Sequence, residues 1–283
     1  MRWSKAWLAR LAVGGLWLAA LGAFVLSSLE NRFIFFPQRE LEADPSVVGL
    51  AYEDVRVETA DGLELHGWFL PASGSPTILF LHGNGGNISH RLPVARCLVD
   101  EGFPVLLMDY RGYGLSQGKP SEHGLYLDAQ AMYRHLIEAR GLEPASVVAW
   151  GKSLGGAVAI DLATRERLGG LVLESTFLNA PAMARLIVPW WPVRLLKTRF
   201  ASDEKLAGLE LPKLIIHGDR DEVIPFAQGR ALYERAAEPK SFLAVPGGDH
   251  NDLPLLSHSE VLARVEDFLR RSIPTGARPA AGS

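Results

Sequence analysis

Short apolar runs recur along the middle of the chain, separated by longer stretches with apolar residues at helical spacing. Two early segments, Tyr52–Glu58 and Leu63–Leu70, alternate apolar and charged residues, and Asp61-Gly62 between them is typical of a hairpin turn. The later runs are apolar throughout, as expected for strands buried on both faces. These runs are Thr77–Leu81, Pro104–Met108, Val147–Trp150, Leu171–Leu173, Leu214–Ile216 and Phe242–Val245.

Helical patterns fill the intervals between these strands and predict an α/β fold. The alternation indicates a mainly parallel eight-stranded sheet with helices on both faces. One interval, about residues 175–211, is a longer insertion between the sixth and seventh predicted strands, and we expect it to form a short cap over the carboxyl end of the sheet. The predicted helices are Ile88–Asp100, Ser121–Arg140, Leu154–Thr164, Phe226–Ala237 and Ser257–Arg271.

The first 30 residues differ from the rest in hydrophobicity. Leu11–Leu29 contains 19 residues without a charge, which as a helix would extend roughly 28 Å, close to the hydrocarbon thickness of a bilayer. More basic side chains precede this stretch than follow it, which predicts a cytoplasmic N-terminus and a folded domain on the non-cytoplasmic side. We therefore expect residues 1–30 to form a single-pass membrane anchor with the lipid bilayer as partner. A cleaved signal peptide is the alternative, but its apolar core is usually shorter.

The remaining boundaries follow from local composition. Residues 31–48, which include Pro37 and Pro45, are expected to form a tether, and residues 49–273 the folded domain. Residues 274–283 are rich in Pro, Ala and Gly and are expected to form a disordered tail.

Overall composition excludes several classes of protein. With 283 residues and 48% hydrophobic content, the chain can form one sizeable core. A net charge of −3 with interspersed signs offers no basic patch, so we expect no nucleic-acid partner. The single cysteine, Cys97, excludes an intramolecular disulfide and a cysteine-cluster metal site.

Gly151-Lys152-Ser153-Leu154-Gly155 places a serine between two glycines, after a short apolar strand and before a predicted buried helix. A turn this sharp brings neighbouring backbone very close, so the flanking positions require small residues. It also exposes the serine hydroxyl beside a helix N-terminus, where backbone N–H groups can stabilise an oxyanion. The segment therefore predicts a nucleophile at Ser153.

The same five-residue pattern occurs a second time, around Ser116. That serine lies in a loop seven residues beyond Asp109, and Lys119-Pro120 follows closely, so neither a strand nor a helix adjoins it. Because the nucleophile motif requires a strand, a turn and a helix, we predict that Ser153 is the nucleophile and that Ser116 is not.

A serine nucleophile needs a base and a group that orients the base. His250 follows the last predicted strand, where Gly247 and Gly248 let the loop fold back, and it is the predicted base. Asp219 and Asp221 both follow the preceding strand and are both plausible acids. Asp219 can close its own turn, so we favour Asp221, in the chain order Ser, Asp, His that is typical of this arrangement.

The oxyanion is expected to bind two backbone N–H groups. Leu154 directly follows the predicted nucleophile, and Asn84 lies in the glycine-rich stretch His82–Asn87 after the third predicted strand. We predict Asn84 N–H and Leu154 N–H as the donors. The predicted chemistry requires neither a metal nor an organic cofactor.

Six motifs in this order resemble those of the membrane-anchored α/β-hydrolase-domain proteins, a group that includes the eukaryotic protein depalmitoylases. The resemblance implies the α/β-hydrolase fold and a triad of Ser153, Asp221 and His250. It also implies a structural role for Ser116 within the loop Asp109–Glu122. The motifs are Phe33–Pro37, His82–Asn87, Asp109–Ser116, Gly118–Glu122, Gly151–Gly156 and His217–Asp221.

The expected function is therefore that of a membrane-anchored serine hydrolase, with an ester or thioester as a small-molecule or acyl-chain substrate. Two alternatives use the same fold. One is an amide hydrolase like the serine aminopeptidases, and the other is a non-catalytic scaffold at the membrane.

Overall fold

The computed structural model of the chain describes residues 30–32, 34–190, 193–251 and 259–272. Within them, a central sheet has eight strands, as the sequence predicts. In chain order the strands are β1 (Glu53–Glu58), β2 (Glu64–Leu70), β3 (Thr77–Leu81), β4 (Val105–Met108), β5 (Val147–Lys152), β6 (Gly170–Glu174), β7 (Lys213–Gly218) and β8 (Lys240–Val245). Their order across the sheet is β1-β2-β4-β3-β5-β6-β7-β8, and β2 runs in the direction opposite to the other seven strands.

Helices cover both faces of this sheet, which confirms the predicted fold class. They are α1 (Leu92–Asp100), α2 (Glu122–Arg134), α3 (Leu154–Arg165), α4 (Ala180–Ile187), α5 (Ser202–Leu206), α6 (Phe226–Arg235) and α7 (Ser259–Ser272). Side chains of α1 and α7 join the apolar cluster on one face, and those of α2, α3 and α6 join the cluster on the other. The strand residues alternate between the two clusters, as Ile78 and Leu79 show.

Two helical regions differ in detail from the sequence prediction. The helix predicted over Ser121–Arg140 ends as an α-helix at Arg134 and continues as a wider π-type turn over His135–Ala139. The insertion after β6 contains two short helices, α4 and α5, that the sequence pattern does not predict. Asn179 begins α4 by accepting a hydrogen bond from Ala182 N–H, a local capping interaction that permits a helix of only eight residues.

Residues 34–50, most of which the sequence predicts as a tether, pack along the domain. Phe36–Pro37 pairs in parallel with Gly85–Gly86, and the Phe35 side chain is buried. The Asn87 side chain donates to the carbonyl oxygens of Gln38 and Glu40. The chain therefore runs directly beside the glycine-rich loop that follows β3.

The predicted anchor and tail lie almost entirely outside the described residues, since only Glu30 of the anchor is included. A search of the described ranges found no helix with the length and hydrophobicity needed to cross a membrane.

The start of α3 packs directly on the ends of β3 and β5. A Cβ atom on Gly155 would collide with the carbonyl oxygen of Leu81, and one on Gly151 would collide with Gly155. These are backbone contacts, so neither partner could move aside by changing a rotamer. The close crossing of helix and strands therefore depends on the absence of side chains at these positions.

We expect Gly155→Ala to lower the free energy of unfolding by about 3 kcal/mol or more, because its methyl group must displace backbone. Gly208→Ala is the matched control, since its Cβ would lie 3.9 Å from the nearest atom, Lys205 O. That control should change stability by no more than about 0.5 kcal/mol. Chemical denaturation of both variants measures the difference, and equal stabilities would contradict the packing argument.

Candidate active site

Ser153 occupies the turn between β5 and α3 with a strained backbone. Its φ of 53° and ψ of −115° lie in a region that residues with a side chain rarely adopt. Ser153 N–H donates to Glu174 O at 2.8 Å, and Ser153 O accepts from Thr176 Oγ1 at 2.7 Å. The turn is thus held by the neighbouring strand β6 and the residues just after it. This is the strand–turn–helix setting predicted for the nucleophile.

The loop after β3 lies against this turn. A Cβ on Gly83 would stand 3.5 Å from Ser153 Cβ, so the backbone of the loop approaches the serine closely. Leu154 is the first residue of α3, where a backbone N–H has no carbonyl oxygen within the helix to bind. The two elements that carry the predicted oxyanion donors therefore meet at Ser153.

His250 and Asp221 form a buried pair. His250 Nδ1 lies 2.8 Å from Asp221 Oδ2, and both residues are 7% exposed. Burial of Asp221 opposes its ionisation, but hydrogen bonds from His217 and His250 and from Ile224 N–H outweigh this effect. They hold the pKa of the Asp221 carboxyl well below its usual range. A permanently charged carboxylate can fix the imidazole tautomer and stabilise an imidazolium.

His217 is a second histidine beside Asp221, and it is not among the site residues predicted from the sequence. Its Nε2 lies 3.4 Å from Asp221 Oδ2 and 2.8 Å from Ile224 O, and its side chain is fully buried. Ile224 N–H in turn donates to Asp221 Oδ1 at 2.7 Å. The carboxylate is thus constrained from two sides. The sequence carries a signal for this contact, because His217 lies near the end of β7 and only four residues before Asp221.

The loops after β7 and β8 are joined by backbone and side-chain hydrogen bonds. Asp219 Oδ1 accepts from Gly247 N–H at 2.7 Å, so this carboxylate bridges to the β8 loop rather than closing its own turn. Arg220 N–H donates to Gly248 O at 3.0 Å. These contacts bring the His250 loop back onto the Asp221 loop, and Asp221 rather than Asp219 contacts His250.

The side chain of Asn84 has a structural role that the sequence did not predict. Asn84 Oδ1 accepts from Tyr113 OH at 3.0 Å and from Phe36 N–H at 3.3 Å, while Nδ2 donates to Ile34 O. These three contacts join the loop after β3 to the Asp109–Ser116 segment on one side and to residues 34–36 on the other. The backbone N–H of Asn84 is the group predicted to act on the substrate.

The second glycine-flanked serine, Ser116, is fully buried. Its Oγ donates to Asp109 O at 2.7 Å and accepts from His66 N–H at 2.9 Å. Both contacts are with backbone, so the hydroxyl holds the loop against β2. This environment agrees with the structural role that the sequence predicts for Ser116.

A buried ion pair lies at the end of β5, directly before the Ser153 turn. Lys152 Nζ donates to Glu174 Oε1 at 2.8 Å, and Trp150 Nε1 donates to Glu174 Oε2 at 3.1 Å. Lys152 and Glu174 are 6% and 2% exposed. Because both carboxylate oxygens are satisfied, the end of β5 is tied to the end of β6 by side chains as well as by backbone.

The structure therefore joins Asp221 directly to His250 and places the backbone at Gly83 beside Ser153, which directly precedes Leu154. The strands that carry these residues end at the same edge of the sheet, where ligands bind in folds of this type. No group of three or more potential metal ligands occurs among the residues that the structure describes.

Comparison with known proteins identifies relatives along most of the chain. A Mycobacterium tuberculosis protein designated uncharacterised is 39% identical over 253 residues, which cover 88% of this chain and 90% of that protein. The α/β hydrolase domain-containing protein WAV2 of Arabidopsis thaliana is 32% identical, covering 92% of this chain and 93% of that protein. Residues 73–207 also match a family described as serine aminopeptidase, S33.

Among solved structures, the esterase Pf2001 of Pyrococcus furiosus is similar in fold. It superposes with a TM-score of 0.70 at 25% identity, covering 83% of this chain and 98% of that structure. The likeness extends over nearly the whole of that enzyme.

The lowered pKa of Asp221 predicts that the pair stabilises the domain less in acid. At a pH above the usual aspartate pKa near 4, the Asp221 carboxylate is charged in both the folded and the unfolded protein. The hydrogen bonds to the carboxylate then stabilise the folded protein. As the pH falls below about 4, the unfolded state takes up the proton first, so the stabilisation is lost. We expect the difference in Tm between wild type and Asp221→Asn to shrink from pH 7 to pH 3.

Thermal unfolding followed by circular dichroism measures this difference. Glu204→Gln changes an exposed carboxylate on α5 and should show no comparable pH-dependent difference from wild type. A difference between wild type and Asp221→Asn that stays constant over this range would contradict the assignment.

Proposed function

This chain belongs to the α/β-hydrolase domain-containing proteins, and from that membership we propose that it is a serine hydrolase that cleaves a carboxylic ester or thioester. The observation that carries the proposal is the strained Ser153 turn at the same sheet edge as the buried Asp221–His250 pair. A surface serine or a packing histidine would need neither the strain nor the buried carboxylate. The fold and the relatives support hydrolysis, and the geometry supports serine as the nucleophile.

Acylation is the first step of the proposed mechanism. His250 Nε2 takes the proton of Ser153 Oγ while the oxygen attacks the substrate carbonyl carbon. Asp221 bonds to the opposite nitrogen, Nδ1, and stabilises the imidazolium that forms. The carbonyl oxygen becomes an oxyanion and accepts from Asn84 N–H and Leu154 N–H. His250 then gives its proton to the leaving alcohol or thiol as the carbon–oxygen or carbon–sulfur bond breaks.

Deacylation reverses these roles with water. His250 removes a proton from a water molecule, whose oxygen attacks the acyl carbon on Ser153. The second oxyanion collapses, the acid product leaves, and the proton on His250 returns to Ser153 Oγ. The same two N–H donors serve both steps, and removing one such donor typically costs about 3–4 kcal/mol of transition-state stabilisation. No metal or organic cofactor takes part in either step.

Hydrolysis of an amide is the second candidate. The match of residues 73–207 to a serine aminopeptidase family favours it, since the same catalytic groups can act on amides. The similarity to the Pyrococcus furiosus esterase over 98% of that structure favours the ester instead. A non-catalytic scaffold is the least consistent with the site, because the acid–base pair and the strained turn would serve no purpose in it.

Attachment to a membrane through residues 1–30 is part of the proposed function. The support is the uncharged stretch Leu11–Leu29 and the basic residues before it. The same charge asymmetry favours a hydrolase domain on the non-cytoplasmic side.

Fluorophosphonate labelling tests the nucleophile. The probe reacts with an activated serine, so Ser153→Ala should abolish labelling and lower ester turnover by at least about 10⁴-fold. Ser116→Ala should retain labelling, because its hydroxyl only holds backbone groups and its loss costs about 1 kcal/mol of stability. Loss of labelling in Ser116→Ala, with retention in Ser153→Ala, would reverse the assignment.

A panel of substrates distinguishes the ester from the amide reading. We expect p-nitrophenyl esters of graded acyl length to be hydrolysed with a Ser153-dependent rate, and aminoacyl p-nitroanilides to be hydrolysed far more slowly. Turnover of the anilides alone would reject the ester proposal. Absence of turnover on both panels, together with absence of fluorophosphonate labelling, would favour the scaffold.

A further inference from the structure

The cap carries exposed apolar side chains beside basic ones. Leu186 and Ile187, at the end of α4, are 53% and 72% exposed, and Trp190 is 79% exposed. Large apolar side chains exposed close together in the chain mark a contact with a membrane, another protein or a ligand. We call this set, together with the basic side chains around it, the cap face: Arg185, Leu186, Ile187, Trp190, Arg194, Lys197 and Arg199.

The charges on the cap face have a single sign. Between residues 175 and 201 the sequence contains the four basic residues of the cap face and no acidic residue. All four are exposed, and none forms an ion pair within the described part of the chain. Helix α4 packs against the turn Val193–Leu195. The apolar side chains at the end of α4 and the basic Arg194 therefore belong to one structural unit. Such a surface complements an anionic bilayer, where apolar groups enter the interface and cations meet phosphate.

The Glu30 side chain binds this same unit. Glu30 Oε1 accepts from Thr198 N–H at 2.7 Å, and Oε2 accepts from Lys197 N–H at 3.0 Å. Five residues later, the Phe35 ring packs edge-on against the Phe200 ring, with the ring centroids 6.3 Å apart. The uncharged stretch that ends at Leu29 is thus one residue from a carboxylate fixed to the cap. The predicted anchor therefore ends, in sequence, at a residue that the cap binds.

We infer that the cap face is a second membrane contact, seated on the headgroup region of an anionic phospholipid bilayer. The inference rests on the proposed anchor and extends it, because it orients the domain as well as attaching it. The cap leaves the sheet next to the nucleophile, since the Thr176 hydroxyl bonds to Ser153 O.

Site-specific fluorescence on the full chain in vesicles tests the contact. With Cys97 replaced by serine, a single cysteine at Ile187 or at Val47 carries an environment-sensitive NBD label. These residues are a matched pair, since both are apolar and 72% exposed. Val47 lies in the turn Pro45–Val48, which packs with α1 on the opposite face of the sheet. We expect the label at 187 to be blue-shifted and quenched by doxyl-labelled phospholipid, and the label at 47 to behave as in water.

The charges are tested by neutralising one cation at a time. Arg185→Gln should lower the membrane-bound population of the cap by about fivefold in vesicles containing phosphatidylglycerol, the effect of losing one cation at an anionic surface. Arg264→Gln removes an exposed charge from α7 on the opposite face and should leave quenching unchanged. In vesicles of phosphatidylcholine alone, the two variants should not differ.

Several outcomes would overturn the inference, and they are distinguishable from failure of the proposed function. Equal quenching at 187 and 47 would reject the cap contact. A blue shift at 187 that depends on protein concentration, without quenching by lipid, would indicate a second copy of the chain instead. Co-flotation with vesicles after carbonate washing reports on the anchor, and fluorophosphonate labelling of the same samples reports on the nucleophile.

Discussion

The close contact between the start of α3 and the ends of β3 and β5 is the constraint on which the candidate site depends. A side chain at Gly155 would collide with the carbonyl oxygens of Leu81 and His82, at the end of β3. This contact draws the loop at Gly83 against Ser153, so the proposed nucleophile and the loop that carries a proposed oxyanion donor are placed by the same packing. The strained φ of Ser153 is the local cost of that arrangement, and the helix and sheet around it stabilise it.

The proposed acid and base, Asp221 and His250, are placed by a different set of contacts. The β7 and β8 loops are joined at Asp219 and Gly247, and His217 holds Asp221 from below. These hydrogen bonds join the two loops and hold the His250 imidazole against Asp221. The candidate site is thus built from two halves, one on β3 and β5 and the other on β7 and β8.

Much of the sheet could be predicted from the sequence, because strands buried on both faces produce short apolar runs that end at polar or glycine residues. The strand–turn–helix setting of Ser153 could also be predicted, since strand and helix patterns flank Ser153 but not Ser116. The pairing of Phe36–Pro37 with Gly85–Gly86 was not, because two-residue strands 49 residues apart in the chain have no periodic signal. Helix α4 is likewise short, and its capping by Asn179 is a local event that hydrophobic spacing does not report.

The pairing of Phe36 with Gly85 has a consequence for how this chain can vary in evolution. Residues 30 and 35 contact the cap, residues 34 to 38 contact the glycine-rich loop, and both contacts have a defined register. An insertion or deletion between Glu30 and Phe36 would shift the cap contact of Glu30 relative to the pairing of Phe36 with Gly85. Most connecting segments, by contrast, tolerate changes in length. The number of residues between Glu30 and Phe36 is therefore fixed by these contacts. We expect the length of this segment to vary far less among relatives than its sequence.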